Sequence, residues 1–424
     1  MKDRKQASML FIFITLLIDV IGFGIIIPVL PDLIRELNGG NYSDASRIGG
    51  WLLFAFAIMQ FIFSPILGNL SDRFGRRPVL LFSLFGFGCD YLLMALAPDL
   101  LWLFIGRMLA GITGASFTTA GAYIADVSPP EKKAQNFGLI GAAFGMGFII
   151  GPALGGLLGE LGSRVPFYGS AIITFLNFIY GFFILPESLP KEQRRKFEWK
   201  RANPLGALLH LKKYPLAYGL IISLICIYIA AHSVQSNWNF FTMGTFGWSE
   251  RQVGLSLALV GLLVGLVQGV LIRYTIPKFG QKKSLYYGLA LYTIGLILFG
   301  IASEGWMMFV FLIPYCLGGI GMPALQAIIS SQVPANEQGE LQGSLTSLMS
   351  ATSIIGPVLM TNTYAAFTAE NAPVHFAGAA FLLGAVFMFV SILFAMRSLK
   401  HYQPVEHEKQ FVPDEKKPAI DLVE

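Results

Sequence analysis

The chain has 424 residues, of which 54% are hydrophobic and only 13% charged. Soluble domains carry about 25% charge, so this composition argues against a soluble enzyme, a disordered chain and a coiled coil. The mean hydropathy of +0.63 instead predicts an all-α membrane protein with many spans.

Windows of about 20 residues yield twelve candidate helices in chain order. The first six are Ser8–Leu30, Ile48–Leu70, Val79–Ala97, Leu101–Ala125, Asn136–Glu160 and Val165–Leu185. The next six are Leu216–Trp238, Gln252–Ile272, Ser284–Ala302, Trp306–Ser330, Glu340–Tyr364 and Val374–Arg397. The first run follows Lys2, Arg4 and Lys5 as a signal peptide would. It is long, lacks a small-residue cleavage site and is one of many, so it reads as a helix. The seventh span is the weakest, with His232, Gln235 and Asn237 near its end. Cys89, Cys226 and Cys316 sit inside apolar runs and read as packed thiols, with no disulfide or zinc spacing.

Lys and Arg fall on alternate loops. The N-terminus has 3, the loops after helices two, four, six, eight and ten have 3, 2, 8, 4 and 0, and the C-terminal tail together with Arg397 has 5. Both termini are therefore expected in the cytoplasm. The net charge of +5 is a topology signal and not a nucleic-acid footprint. The run from Lys191 to Arg201 reads as a solvated linker, with acidic lipid as the other reading.

The sequence also repeats at a shift of 205 residues. Ile149-Ile150-Gly151-Pro152 falls on Ile354-Ile355-Gly356-Pro357, and Phe74-Gly75 falls on Phe279-Gly280. Pro129 meets Pro334, Gly138 meets Gly343, and Arg77 meets Lys282. Two parallel six-helix repeats follow, with a substrate site between them. The expected units are a first bundle (1–185), a linker (186–215), a second bundle (216–397) and a mobile tail (398–424).

The loop after helix two reads Gly68-Asn-Leu-Ser-Asp72-Arg73-Phe-Gly75-Arg76-Arg77-Pro78. This stretch resembles the signature of the major facilitator superfamily between its second and third helices. Gly75 permits a tight turn, and Arg76 can pair with a carboxylate, with Asp126 the candidate partner. The expected role is a latch that holds one closed state. Helix five carries Gly141, Gly145, Gly147, Gly151, Pro152, Gly155 and Gly156. Small residues four apart allow close helix packing. In the superfamily, the pattern on Gly147, Gly151, Pro152, Gly155 and Gly156 is characteristic of proton-driven drug exporters.

Charges inside spans are functional candidates. Asp19 lies mid-helix one, Asp90 mid-helix three and Arg107 in helix four. Desolvation favours a neutral acid over a carboxylate, so Asp19 is a candidate proton carrier. Asp90 and Arg107 can form an internal pair, and in related exporters an Arg at that place is associated with proton transfer. The second half offers polar neutrals and aromatics: His232, Gln235, Gln268, Tyr292 and Gln326, with Gln60 from the first half. A mostly apolar site with a few hydrogen-bonding groups suits small amphipathic compounds.

Within the superfamily the chain is similar to the tetracycline-resistance exporters. The supporting strings are Ile18-Asp19-Val-Ile-Gly-Phe-Gly24, Ala120-Gly121-Ala-Tyr-Ile-Ala-Asp126 and Gly318-Gly-Ile-Gly-Met-Pro323-Ala-Leu-Gln326. The resemblance implies exchange of a divalent-metal–tetracycline complex for a proton. Two positions depart from it. A His of helix eight falls on Val264, and an Asp of helix nine falls on Tyr292. Neither replacement can take the original role, which argues against tetracycline. Coupling then rests on Asp19, Asp90 and Arg107.

The expectation is a proton-coupled exporter in the bacterial inner membrane, acting as a monomer on small molecules and protons. It needs lipid but no cofactor, resident metal or nucleic acid; its substrate can arrive as a divalent-metal complex. Uptake by proton symport and a non-transporting homologue are the alternatives. An enzyme is disfavoured, because the chain has no H-E-x-x-H, P-loop or nucleophile elbow.

Overall fold

A computed structural model describes residues 2–114, 116–129, 133–197, 215–333 and 338–400. Most of the expected linker, and the tail from 401 onward, lie outside the described residues. The described residues form helices and no strands.

The first half contains α1 (Lys2–Ile26), α2 (Leu30–Asn38), α3 (Tyr42–Phe74), α4 (Arg76–Leu96), α5 (Leu100–Thr113), α6 (Ser116–Val127), α7 (Lys133–Gly159) and α8 (Val165–Ile184). The second half contains α9 (Pro215–Gln235), α10 (Trp238–Phe246), α11 (Glu250–Leu266), α12 (Ile272–Gly300), α13 (Gly305–Leu317), α14 (Gly321–Ser331), α15 (Gln338–Thr368) and α16 (Ala379–Ser398). Helix is what a low-dielectric surrounding demands, since each backbone N–H and C=O must pair within its own segment.

Several expected single spans are broken helices. The fourth breaks at Gly114 between α5 and α6, the seventh between Gln235 and Trp238, and the tenth at the 3₁₀ turn Gly318–Ile320. The first ends near Pro28, which has no N–H to continue the ladder. Among the described residues, eleven stretches are long and apolar enough to cross a membrane, and one of them runs 51 residues, Glu250–Gly300. A straight helix of that length would measure about 75 Å, against a hydrocarbon core of about 30 Å. The stretch turns back at Gly280, whose φ of 76° and ψ of 164° are not helical. It therefore supplies two crossings, and the total is twelve. Polar residues set other helix starts. Asp99 accepts from Leu101 N and Trp102 N at 2.9 and 3.4 Å, and Ser249 and Gln252 form a reciprocal capping box. Each such cap is worth about 1 kcal/mol.

Within the first half, α1 packs on α7 and α8, α3 on α5, and α4 on α5 and α8. In the second, α9 packs on α15 and α16, and α12 on α13, α14 and α16. Three pairs join the halves: α7 with α11, α3 with α15 and, less extensively, α3 with α10.

These cross-pairs close at only one end. At the end away from the basic loops, here the far end, Ser43 Oγ donates to Ala365 O at 2.9 Å and Ser46 Oγ to Thr361 O at 3.2 Å. A Cβ on Gly156 would lie 2.9 Å from Arg251 Cα, so these backbones touch there. At the basic end the same helices diverge. A Cβ on Gly138, Gly141 or Gly145 of α7, on Gly68 of α3, or on Gly343 of α15 would meet no atom within 4 Å. The same holds for Gly265 and Gly269 on the facing stretch. A cleft thus opens between the halves toward the basic loops.

Candidate functional site

Asp19, Asp90 and Arg107 are buried in the first half. Arg107 Nη2 on α5 pairs with Asp90 Oδ2 on α4. Gly106 makes the approach possible, since a Cβ there would lie 2.8 Å from Asp90 Oδ1. The Arg107 guanidinium also lies 5.9 Å from the Phe56 ring centre on α3. The pair ties α4 to α5, with the Phe56 ring of α3 alongside. Asp19 is different. It is 7% exposed, and neither carboxyl oxygen makes a hydrogen bond among the described residues. The Ser116 hydroxyl on α6 faces it without closing a bond of ordinary geometry. An unpaired buried carboxylate is costly in a low-dielectric surrounding.

The basic-end loop forms a network. Arg76 Nη1 donates to Asp72 Oδ1 at 2.5 Å and to Ser71 Oγ at 2.7 Å, and its Nε donates to Asp126 Oδ2 at 3.1 Å. Gly75 makes the turn at φ 108°. Arg77 Nη2 donates to Phe182 O at 2.5 Å, while Arg73 is exposed and lies over the Phe74 ring. The structure thus brings Asp72, Arg76 and Asp126 together, while Gly68 borders open space. Sequence reasoning missed the centre of this network, Glu187. Its Oε1 accepts from Arg76 N at 2.8 Å and from Ser188 N and Leu189 N at 3.0 Å, and its Oε2 accepts from Arg77 N at 3.3 Å. It caps α4 from a distance of 111 residues in sequence. The one available signal was an acidic residue in Leu185-Pro186-Glu187-Ser188, where a helix ends at a proline.

The helix-five glycines form two packing faces. Gly147, Gly151 and Gly155 receive α1, around Val20, Gly24 and Ile25. Gly156 and the Pro152 carbonyl meet α11, at Glu250, Arg251 and Gly254. α7 is therefore wedged between its own bundle and the other one.

The candidate substrate residues are dispersed. Gln60 Nε2 donates to Gly114 O at 3.3 Å, satisfying a carbonyl freed where α5 breaks from α6. Gln268 is exposed on a π-helical turn, Val267–Leu271, between α11 and α12. Such turns recur at functional sites, and nothing in local sequence announced this one. Gln235 and Gln326 are exposed, and Gln326 lies beside the Tyr228 hydroxyl. His232 packs its ring on Gly356 of α15. Tyr292 Oη donates to Tyr315 Oη at 3.0 Å, with ring centres 4.6 Å apart. This pair stands where the resemblance led one to expect an Asp. No group of three or more His, Cys, Asp or Glu side chains capable of holding a metal occurs among the described residues.

The geometry is that of a two-bundle transporter, and comparison with known proteins agrees. The Major Facilitator Superfamily profile matches residues 12–313 and, in a second match, 232–423. The chain belongs to the major facilitator superfamily. It is 40% identical to the Escherichia coli tetracycline resistance protein, class C, over 92% of this chain and 96% of that one. It is 36% identical to the class B protein of the same organism, over the same shares. In fold it is similar to a bacterial homologue of the human lysosomal transporter Spinster, solved inward-facing and unoccupied. The TM-score is 0.75 at 16% identity, over 99% of this chain and 100% of that one. A D-xylose–proton symporter gives 0.70 at 18% identity, over 92% and 96%. This superfamily member is a multi-pass membrane transporter, and not an enzyme.

Proposed function

We propose that the protein exports small amphipathic compounds in exchange for protons, by alternating access in the bacterial inner membrane. The basic loops and both termini face the cytoplasm, as their Lys and Arg excess requires, so the open cleft is inward-facing. Both walls of the cleft come from one chain, so a monomer suffices. No cofactor is needed; the proton gradient supplies the energy. A substrate that arrives as a divalent-metal complex brings its own metal.

The observation that carries this reading is Asp19, a buried carboxyl without a partner beside the helix-five wedge. Neutral, it is tolerated in an apolar core; ionised, it calls for water or a cationic substrate. Proton release therefore belongs to one state of the cycle and proton uptake to the other. Asp90 and Arg107 support it as a fixed pair whose charge can be rebalanced by the same proton. The Arg76 network, with Asp72, Arg73, Arg77 and Asp126, acts as the conformational latch, and Gly75 shapes its turn. Gln60, Gln268 and Gln326 supply hydrogen bonds to the substrate, with His232, Gln235 and Tyr292 shaping its surroundings.

The relatives named for tetracycline resistance favour export over uptake and make tetracyclines the first compounds to try. Val264 and the hydrogen-bonded Tyr292–Tyr315 pair argue for a less polar substrate. The test uses inside-out vesicles with an acid interior and a pH dye. Adding a substrate should alkalinise the interior with wild type and not with Asp19→Asn. A signal of equal size in Asp19→Asn overturns the assignment of Asp19, and compound leaving the vesicles with protons identifies symport.

A further inference from the structure

Helices α7 and α11 meet across the two bundles as antiparallel partners, and their contacts step along both in unison. At the far end a Cβ on Gly254 would lie 3.2 Å from Gly156 N. Seven residues back along α7 and seven on along α11, a Cβ on Gly261 would lie 3.3 Å from Ile149 N. Another four residues on each side bring Gly145 level with Gly265, and four more bring Gly141 level with Gly269. There the contact is gone. A Cβ on any of these four glycines would meet no atom within 4 Å. The seam therefore ends within about one helical turn, between Ile149 and Gly145.

Phase agrees with level. At about 100° per residue, eleven residues make three turns and about 20°. Gly145 thus stays on the face of α7 that Gly156 presents, and Gly265 on the face of α11 that Gly254 presents. Fifteen residues would leave an ideal helix about 60° off that line. The wider π turn Val267–Leu271 turns Gly269 part of the way back. No charge stands in the way: α7 from Asn136 to Gly159, and the facing stretch from Gln252 to Ile272, hold no Asp, Glu, Lys or Arg. Glycine is the poorest helix former after proline. These four have no positive φ and touch no neighbour, so in this state they weaken their helices with no packing in return. Small residues four apart are what two membrane helices need for close backbone approach.

We propose that this seam continues when the cleft shuts: in the state open at the far end, Gly145 packs on Gly265 and Gly141 on Gly269, in the register that Gly156 with Gly254 and Ile149 with Gly261 already fix. Ile149 and Gly261 are the pivot. The two helices rock there without sliding, and Gly156 parts from Gly254 as Gly145 meets Gly265. Along this seam the basic end is closed by backbone against backbone, with no ion pair to form or break. The seam rests on the two-state cycle of the proposed function, and not on Asp19 or on which compound is carried.

The test reads contact and conformation and not transport, so its failure is distinct from that of the exporter reading. The full chain in lipid nanodiscs, with Cys89, Cys226 and Cys316 replaced, carries Gly145→Cys together with Gly265→Cys. An added oxidant closes a disulfide where the two Cβ atoms come within about 4.5 Å. This matched pair should link about tenfold faster than Gly145→Cys with Gly269→Cys, or Gly141→Cys with Gly265→Cys, whose partners stand about 5.4 Å out of level. Equal rates, a faster offset pair, or no link in any pair overturns the seam. A second measurement uses spin labels at the exposed residues Asn38 and Glu370, one on each bundle, to read the far-end distance. Gly145→Leu should remove the population open at the far end, and Gly145→Ala should reduce it less. Gly145→Leu should still unfold at or above the wild-type temperature, because leucine favours helix over glycine and its Cβ meets no atom within 4 Å in this state. An open population in Gly145→Leu equal to that of wild type also overturns the seam.

Discussion

The turns at Gly75 and Gly280 occupy equivalent places in the two bundles, 205 residues apart. Their backbones agree: ψ is 164° at both, and φ is 108° and 76°. Their side chains do not. In the first bundle Arg76 binds Asp72, Ser71 and Asp126, and Glu187 caps the next helix. In the second, Gln281 stands at the place of Arg76, and its buried Oε1 has no hydrogen-bond partner among the described residues. Only Lys282 has a counterpart contact, donating to Leu399 O at 2.6 Å as Arg77 donates to Phe182 O. Glycine is enough to reverse the chain, so both copies turn. The charged network is an addition in one copy, which points to a task beyond turning.

Removing the network tests that addition most severely. Arg76→Ala leaves Asp72 and Asp126 without their cation and should cost about 2–3 kcal/mol. Thermal unfolding in detergent measures the loss. The matched change Gln281→Ala should cost almost nothing; equal losses would dissolve the contrast. Next come the glycines. Gly75→Ala and Gly280→Ala each force a side chain into positive φ, worth about 1–2 kcal/mol. The Gly75 change also drives a Cβ into the Glu187 carboxylate, whereas that at Gly280 meets nothing within 4 Å. Gly75→Ala should therefore be the worse of the two, in both unfolding temperature and transport rate. Glu187→Gln keeps the shape but weakens the bonds to four N–H groups, and about 1–2 kcal/mol should follow. It should also speed hydrogen exchange at Arg76 and Arg77 while leaving Gln281 and Lys282 unchanged. A smaller loss, above only that of Gln281→Ala, belongs to Lys282→Met, which drops one bond to a helix-end carbonyl. About 0.5–1 kcal/mol is expected, and an unfolding temperature below that of Gly75→Ala would reverse the ranking.

Hydropathy was enough to read twelve crossings, and motifs in one register 205 residues apart were enough to read a repeat. Gly280 shows why: a 51-residue apolar helix cannot fit a bilayer, and the glycine in the right register supplies the reversal. The breaks at Gly114 and after Gln235 were illegible, because the partners that repay the freed carbonyls, such as Gln60, come from other helices. The candidate site divides along the same line. Asp72, Arg76 and Asp126 were readable from one motif and one helix end. The capping by Glu187 was not, since the N–H of Arg76 that it receives lies 111 residues away in sequence.

The sequence by itself determined the number of crossings, the two turns, the close-packing faces of α7 and the burial of Asp19, because these depend on hydrophobicity, glycine φ and spacing along one helix. Tertiary structure alone decided which carboxyls stay unpaired, where Glu187 caps, and which end of the cleft is shut. Those outcomes depend on residues 100 or more positions apart, whose approach is set by helix packing and by no local preference of the chain.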